Sequence, residues 1–431
     1  MSLNSLIKQK LTDVFTAQMQ RIIKKHNLKI VAVAGSVGKT TTKLAITTVL
    51  SESLKVCYQE GNYNTPISLP FIFISRPMPA LYNPMAWIWA WLQSQKVLHS
   101  HCPYDIVVVE LGVDAPGDMQ VFKSLLKPDI SVITAVSEEH MEFFDSVDAV
   151  AAEELTLAQF SDVLVVNADD VAEKYLESFI PTEKEVHSYG FKHAEYKISA
   201  EPNKPSGYSI KINIGDGNLI KGNINSLALQ IIKSIAAAVT VADLLGLESA
   251  AIESGIQKVK TFEGRMQLLK GIKNSTIIDD TYNSSPIAAE AALKTLYDFQ
   301  SPQHIAILGM MNELGAYSRP DHVRIGNLCD PSKLDLLITI GRDANDYLAA
   351  AAEARGCRVK RTDNPMSAGK IAAETIKDGA VILAKGSQNG VFAEEAVKEL
   401  LADPADSRKL VRQNSFWLNK KQHQFKKLNA S

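Results

Sequence analysis

A glycine loop set between an apolar run and a helix-compatible segment constrains this chain more than any other feature. Residues 30–34, Ile-Val-Ala-Val-Ala, read as a buried strand. They break into Gly35, Ser36, Val37, Gly38, Lys39, Thr40 and Thr41, and a helix-compatible pattern runs from Lys39 to about residue 50. Binding a polyphosphate needs this order of parts. Glycines let backbone N–H groups approach phosphate oxygens, and the following helix turns its positive end towards them. Lys39 is placed to neutralise the β- and γ-phosphates and Thr40 to hold Mg²⁺. The general spacing GxxxxGK[ST] puts a glycine where this chain has Val33, so the loop is a variant with fewer glycines.

A chain of 431 residues is too long for one ordinary core, so two or three domains are expected. The net charge of −2 gives no electrostatic footprint for nucleic acid, and no nucleic-acid partner is expected. Cys57, Cys102, Cys329 and Cys357 are scattered without a CxxC pair, which speaks against a zinc site or a disulfide framework and for reduced thiols in the cytoplasm. The N-terminus does not read as a signal peptide. The most apolar stretch, residues 81–92, carries Trp87, Trp89 and Trp91 but is too short to span a bilayer. These tryptophans are expected to pack against the body of their domain, and membrane contact is not expected.

The first 28 residues carry a helical stripe of apolar positions and form an N-terminal helix. From residue 29 to 262, short apolar runs alternate with helical segments: 30–34, 55–58, 105–109, 130–134 and 163–166. That rhythm predicts a doubly wound, mostly parallel α/β sheet whose ligands sit at the carboxyl ends of the strands. Residues 193–225 change texture and predict a small antiparallel excursion, followed by a long helix over 227–245. From 263 to 431 the rhythm restarts, with strands at 276–278, 304–308, 336–340 and 381–384, predicting a second, Rossmann-like α/β domain.

Polar residues gather where the first-domain strands end. Glu110 closes the run Ile-Val-Val-Val of residues 106–109, and a buried carboxylate there is costly unless a metal or a base neutralises it. With Thr40 and His140 it can complete a Mg²⁺ site, and the bland alternative is a carboxylate that caps the next turn. Asn62, Asn64 and Thr65 serve either as turn residues or as substrate contacts. In the second domain, Asp279 and Asp280 lead into Thr281, Tyr282 and Asn283. Adjacent acids favour a ribose or cation contact over a plain helix cap. Arg265 is placed to reach nucleotide phosphate, and Lys385 and Ser387, after the last strand, to meet an anionic substrate.

This ordered set resembles the Mur ligase superfamily, most of all its MurF type, which adds D-alanyl-D-alanine to a UDP-N-acetylmuramoyl tripeptide. The resemblance runs from about residue 29 to 400. It is carried by Gly-Ser-Val-Gly-Lys-Thr-Thr at 35–41, Gly-Asn-Tyr-Asn-Thr at 61–65, Val-Glu-Leu-Gly at 109–112, and His-Met-Glu-Phe-Phe at 140–144. It continues through Asn-Ala-Asp-Asp at 167–170, Gly264-Arg265, Asp-Asp-Thr-Tyr-Asn-Ser-Ser-Pro at 279–286, Gly-Met-Met-Asn-Glu-Leu-Gly at 309–315 with His322, and Lys-Gly-Ser at 385–387. The resemblance implies an ADP-forming amide ligase of peptidoglycan precursor synthesis, using ATP and Mg²⁺. ATP would phosphorylate a substrate carboxylate, and an amine would then displace the phosphate. It implies Lys39 and Thr40 as phosphate-loop and metal residues, Glu110 and His140 as metal ligands, and Arg265 and Asp280 as nucleotide contacts.

Three departures accompany the resemblance. Where many members carry a carbamylated lysine, this chain has Glu154, which either supplies the carboxylate to a second Mg²⁺ itself or leaves that metal out. The helix expected to read adenine carries Gln230, a candidate amide contact, and then Lys233, which changes the pattern. The UDP-binding N-terminal domain of the family has no counterpart before the loop, so a partner is one way to hold that end of the substrate. Rival readings are a folylpolyglutamate-type or other amino-acid ligase, and a degenerate nucleotide-binding assembly partner without ligase activity.

Overall fold

The computed structural model describes residues 3–58, 65–100, 102–138, 141–203, 207–215, 217–224, 229–260 and 262–428. Asn62, Asn64 and His140, expected at the site, lie outside the described residues. The chain divides into two compact units. One comprises Met1–Ser137, Phe143–Asn225 and Leu229–Val259; the other comprises Lys260–Ser431 with Glu138–Glu142 and Ser226–Ala228.

The first unit is built on nine strands: β1 (Lys29–Ala34), β2 (Val56–Tyr58), β3 (Ile106–Glu110), β4 (Ile130–Ile133), β5 (Val163–Asn167), β6 (Glu185–Gly190), β7 (Tyr196–Pro202), β8 (Tyr208–Asn213) and β9 (Leu219–Ile224). They lie in the order β2-β3-β1-β4-β5-β6-β7-β8-β9. Pairings from β2 through β7 are parallel, and those of β7 with β8 and β8 with β9 are antiparallel. The central strands are runs of Val, Ile and Ala because both of their faces are covered. Strand β1 has β3 on one side and β4 on the other, so connections diverge there and a crevice opens at the carboxyl ends of these three strands. The antiparallel excursion is present but continues the same sheet, because β6 bridges β5 to β7. The sequence reading passed over β6, whose first two residues are exposed and whose next two are only half-buried.

Six helices of the molecule matter below: α1 (Leu3–His26), α2 (Lys39–Leu50), α3 (Pro84–His99), α4 (Val147–Leu155), α5 (Leu229–Leu244) and α6 (Ser415–Leu428). The loop strand and α2 share one core with α5, through Val31, Val33, Ile46, Val49, Ile232 and Ile235. Helix α3 corrects the expectation for the tryptophans. Trp87 is buried, with ring centroids 5.5 Å from Phe15 and 5.6 Å from Phe71. Trp89 and Trp91 are 53% and 40% exposed. The buried positions Trp87, Ala90, Ser94 and Leu98 take one side of the helix; 3.6-residue periodicity puts Trp89 on the opposite side and Trp91 at the rim of the buried one.

The second unit holds β10 (Gln267–Lys270), β11 (Thr276–Asp280), β12 (His304–Gly309), β13 (Leu336–Ile340), β14 (Val359–Thr362) and β15 (Val381–Lys385). Their order is β10-β11-β15-β12-β13-β14, parallel except where β10 pairs with β11. Strands β10 and β14, both at sheet edges, escaped the sequence reading because edge strands need no continuous apolar run.

Candidate active site

Strand β1 delivers the loop. Gly35 has φ of +119°, and a Cβ there would lie 2.5 Å from Thr134 Oγ1 and 2.9 Å from Ala135 N, so only glycine fits against the exit of β4. The loop is fastened to that exit: Ser36 N–H donates to Ala135 O at 2.9 Å, and Ser137 N–H donates to Ser36 Oγ at 3.0 Å. Gly38, at φ of +90°, caps α2. Val37, Lys39, Thr40 and Thr41 are half-buried, and Lys39 Nζ donates to Gly35 O at 2.5 Å, folding back over the loop.

Glu110 arrives from β3, in register with Val33. Its Oε1 accepts from Thr40 Oγ1 at 3.1 Å, and its Oε2 pairs with Lys43 Nζ at 3.1 Å. Lys43, 1% exposed, is thus a base that neutralises Glu110. Sequence reasoning demanded such a partner without naming it, although Lys43 lies one helical turn past Lys39. A hydroxyl and a carboxylate side by side form a hard-oxygen pair suited to Mg²⁺, which takes one or two protein ligands and completes its octahedron with phosphates and water. Accordingly, no group of three or more His, Cys, Asp or Glu side chains is poised around a metal position among the described residues.

Glu154, 2% exposed on α4, points an oxygen at the loop, and its Oε2 accepts from Gly35 N–H at 2.9 Å. The structure therefore brings Glu154 to the glycine loop through a backbone contact. Its neighbour Glu153 faces elsewhere and accepts from Gly117 N–H at 3.0 Å and Met119 N–H at 2.7 Å, the start of another helix. Lys233 on α5 pairs with both oxygens of Asp170 at 2.8 Å and lies 3.7 Å from Asp169, so its place in the helix answers the Asn-Ala-Asp-Asp segment after β5. Asn167 donates to Thr134 O at 2.9 Å and to Asp170 at 2.7 Å, tying the exits of β4 and β5 together. Gln230 is half-buried at the start of α5. Thr65 is exposed, and its hydroxyl lies 2.8 Å from that of Ser68 in a local turn.

In the second unit, β11 and β15 pair with Asp280 opposite Lys385. Lys385 Nζ donates to Asp280 Oδ2 at 2.6 Å and to Asn283 O at 2.9 Å, with 3% of its side chain exposed. Lys385, expected to meet an anionic substrate, thus pairs in the structure with Asp280, the second of the two adjacent acids. Ser387 is likewise buried, and its Oγ accepts from Asn312 N–H at 2.9 Å. Asp279 is fully buried, takes bonds from the Thr281 hydroxyl and N–H on one oxygen, and leaves Oδ2 without a partner. Burial pushes its carboxyl up to about 7. Arg265 lies over the ring of Tyr282 at 4.1 Å with Nε buried and unpartnered, while Asn283 is exposed.

Two further residues hold this edge. Arg412 donates to Thr281 O at 2.6 Å, to Tyr282 O at 2.9 Å and to both oxygens of buried Glu394. Nothing in the sequence links positions 130 residues apart, so this clamp was not legible. His322 accepts Met311 N–H on Nε2 at 3.0 Å while Nδ1 donates to Ser318 O at 2.7 Å, an arrangement that only the neutral ring allows. It is a brace for the loop after β12.

Two family models match the chain: the Mur ligase middle domain over residues 91–242 and the glutamate ligase domain of Mur ligases over 264–388. Together they cover well over half of it. The chain belongs to the Mur ligase family. Among curated relatives, the UDP-N-acetylmuramoyl-tripeptide–D-alanyl-D-alanine ligase of Bacillus subtilis is 26% identical over 407 residues, 91% of this chain and 80% of the relative. Family members of known structure share the fold. MurF from Acinetobacter baumannii superposes with a TM-score of 0.73 at 20% identity, covering 91% of this chain and 80% of that one. MurF ligase from Thermotoga maritima, in complex with ADP, gives 0.72 at 21% identity, covering 90% and 83%.

Proposed function

We propose that this Mur ligase joins D-alanyl-D-alanine to a UDP-N-acetylmuramoyl peptide in the cytoplasm, at the expense of ATP and with Mg²⁺. The observation that carries the reading is the contact of Thr40 and Glu110 beneath a loop closed by Lys39, together with the relatives of that activity. In the reaction, a substrate carboxylate oxygen takes the γ-phosphoryl group and ADP leaves. The amine then attacks the acyl carbon, the amide forms, and inorganic phosphate carries away the acyl oxygen. When bound next to Thr40 and Glu110, Mg²⁺ would supply positive charge to offset the charge that develops on the transferring phosphoryl group.

This chain's own groups do the positioning. Lys39 leaves Gly35 O for the incoming phosphates, and Thr40 and Glu110 hold the cation with His140. Glu154 keeps the Gly35 peptide turned, and Lys43 keeps Glu110 ionised and in place. Arg265 over Tyr282, beside Asp280 and Asn283, contacts nucleotide, and Gln230 serves as an amide partner for the base. Preorganised charge of this kind, more than a covalent nucleophile, is what phosphoryl transfer requires. The test is to incubate the full chain with ATP, Mg²⁺, UDP-N-acetylmuramoyl tripeptide and D-alanyl-D-alanine, then measure phosphate release and product mass. Stoichiometric amide and phosphate are expected; phosphate without amide, or neither, overturns the reading.

A further inference from the structure

Helix α3 presents an apolar face that stays exposed among the described residues. Met85, Ile88, Trp89 and Leu92 are each half or more exposed, and their spacing of i, i+3, i+4 and i+7 places them on one stripe, opposite the buried stripe through Trp87 and Leu98. Isolated exposed apolar residues need no explanation, but a continuous stripe centred on an exposed tryptophan does. Lys96 and His99 extend the same stripe into the last turn of the helix. The guanidinium of Arg76 lies 4.9 Å over the Trp89 ring.

The surroundings of this stripe are basic. Residues 61–104 contain Arg76 and Lys96 and no Asp or Glu. Helix α1 adds Lys8, Lys10, Arg21, Lys24 and Lys25, all exposed, against the single acid Asp13. It lies alongside α3, with Phe15 against Trp87 and His26 Nε2 3.0 Å from Val97 O. The offset is 72 residues at one contact and 71 at the other, so the two helices run parallel and their basic last turns fall together. This cationic pair sits in a chain whose total charge is −2.

We propose that the α1–α3 face docks on the surface of an anionic lipid bilayer. Helix α3 lies in the interface plane, with Trp89 at headgroup depth and the lysines of both helices against the acidic headgroups. Aromatic rings with a polar edge favour that depth, and neighbouring Lys and Arg add electrostatic attraction to anionic lipid. No described helix is long and apolar enough to cross a membrane. A two-fold contact with a second copy of the chain would set two cationic faces against each other, which disfavours the same surface as a homodimer interface. The inference stands apart from the ligase reading and the site residues above.

The test is co-sedimentation of the full chain with vesicles of phosphatidylglycerol in phosphatidylcholine, and with phosphatidylcholine alone. The expected result is binding to the anionic vesicles, little to the neutral ones, and release by high salt. The double variant Ile88→Ser/Trp89→Ser should lower the partition coefficient roughly tenfold or more while leaving the melting temperature unchanged. Lys24→Glu/Lys25→Glu should weaken binding without touching the apolar stripe. Absence of the wild-type chain from anionic vesicles, equal binding to both lipids, or unchanged binding by the Ile88/Trp89 variant would overturn the proposal. So would self-association in sedimentation velocity that the Ile88/Trp89 variant abolishes while no vesicle binding is seen.

Discussion

A carboxylate can steady a loop or hold a cation, and Glu154 is placed for the first role, with its oxygen on the Gly35 N–H. Glutamine keeps an acceptor at the same reach and loses only the charge. Glu154→Gln should therefore retain turnover within about threefold, while Glu154→Ala, which orphans a buried N–H, should lose roughly tenfold or more. Steady-state phosphate release checks both, and equal loss in the two variants would return Glu154 to metal binding. Glu153 is no neutral control, because it caps the helix that begins at Asp118. Asp279 carries a pH prediction. Its folded-state value, raised to about 7 by burial, exceeds the ordinary carboxylate value, so its contribution to stability is complete in acid and is lost as pH rises through about 7. Asp279→Asn should remove that slope, melting above the wild type at pH 8, with an advantage that shrinks as pH falls and is gone below about pH 4, the ordinary carboxylate value. The sequence could say that Glu110 and the adjacent acids needed cations, because burial of bare charge follows from the flanking apolar runs. It could not say that Lys43 and Lys385 were those cations, since a lysine at a strand or helix end reads equally well as a substrate contact.

At the scale of elements, the legible parts were those whose periodicity is enforced by burial. Strands β1, β3, β4, β5, β12, β13 and β15 are covered on both faces and announce themselves as apolar runs. Strands β6, β10 and β14 carry polar residues, and β14 reads Val-Lys-Arg-Thr, a pattern with no strand signature outside its pairing to β13. The glycine loop was legible as the turn between a buried strand and a helix, but which glycine is irreplaceable required the exit of β4. A methyl group at Gly35 would overlap Thr134 and the Ala135 backbone, whereas at Gly38 its nearest neighbour lies 3.9 Å away. Gly38→Ala meets only the strain of its positive φ, on the order of 1 kcal/mol. Gly35→Ala adds the clash and should displace the loop. Calorimetric titration with ATP should find the Gly35 variant at least tenfold weaker than the Gly38 variant; similar affinities would mean that the loop moves away from β4 at little cost.

At the scale of the molecule, the apolar cores of the described residues are drawn from separate stretches of the chain. The core that contains Val31, Ile46 and Ile235 draws on residues 31–259, and those built on β11 to β15 draw on residues 269–410. Each is large enough to melt on its own, and each has its own electrostatic fastener. In the second unit that fastener is the cluster of Arg412, Glu394, Glu395 and Lys421, in which Glu394 is wholly buried between the two bases. It ties α6 and the segment before it to the turn at Thr281 and Tyr282, where the proposed nucleotide contacts stand. Removing one partner of a buried pair leaves the other uncompensated, at about 3 kcal/mol. Scanning calorimetry should resolve two transitions. Arg412→Ala should lower one of them by several degrees and leave the other in place, and ATP with Mg²⁺ should raise both in the wild type, because the proposed nucleotide contacts draw on each. A single transition that moves as a whole in the variant would mean that the two cores unfold as one cooperative block.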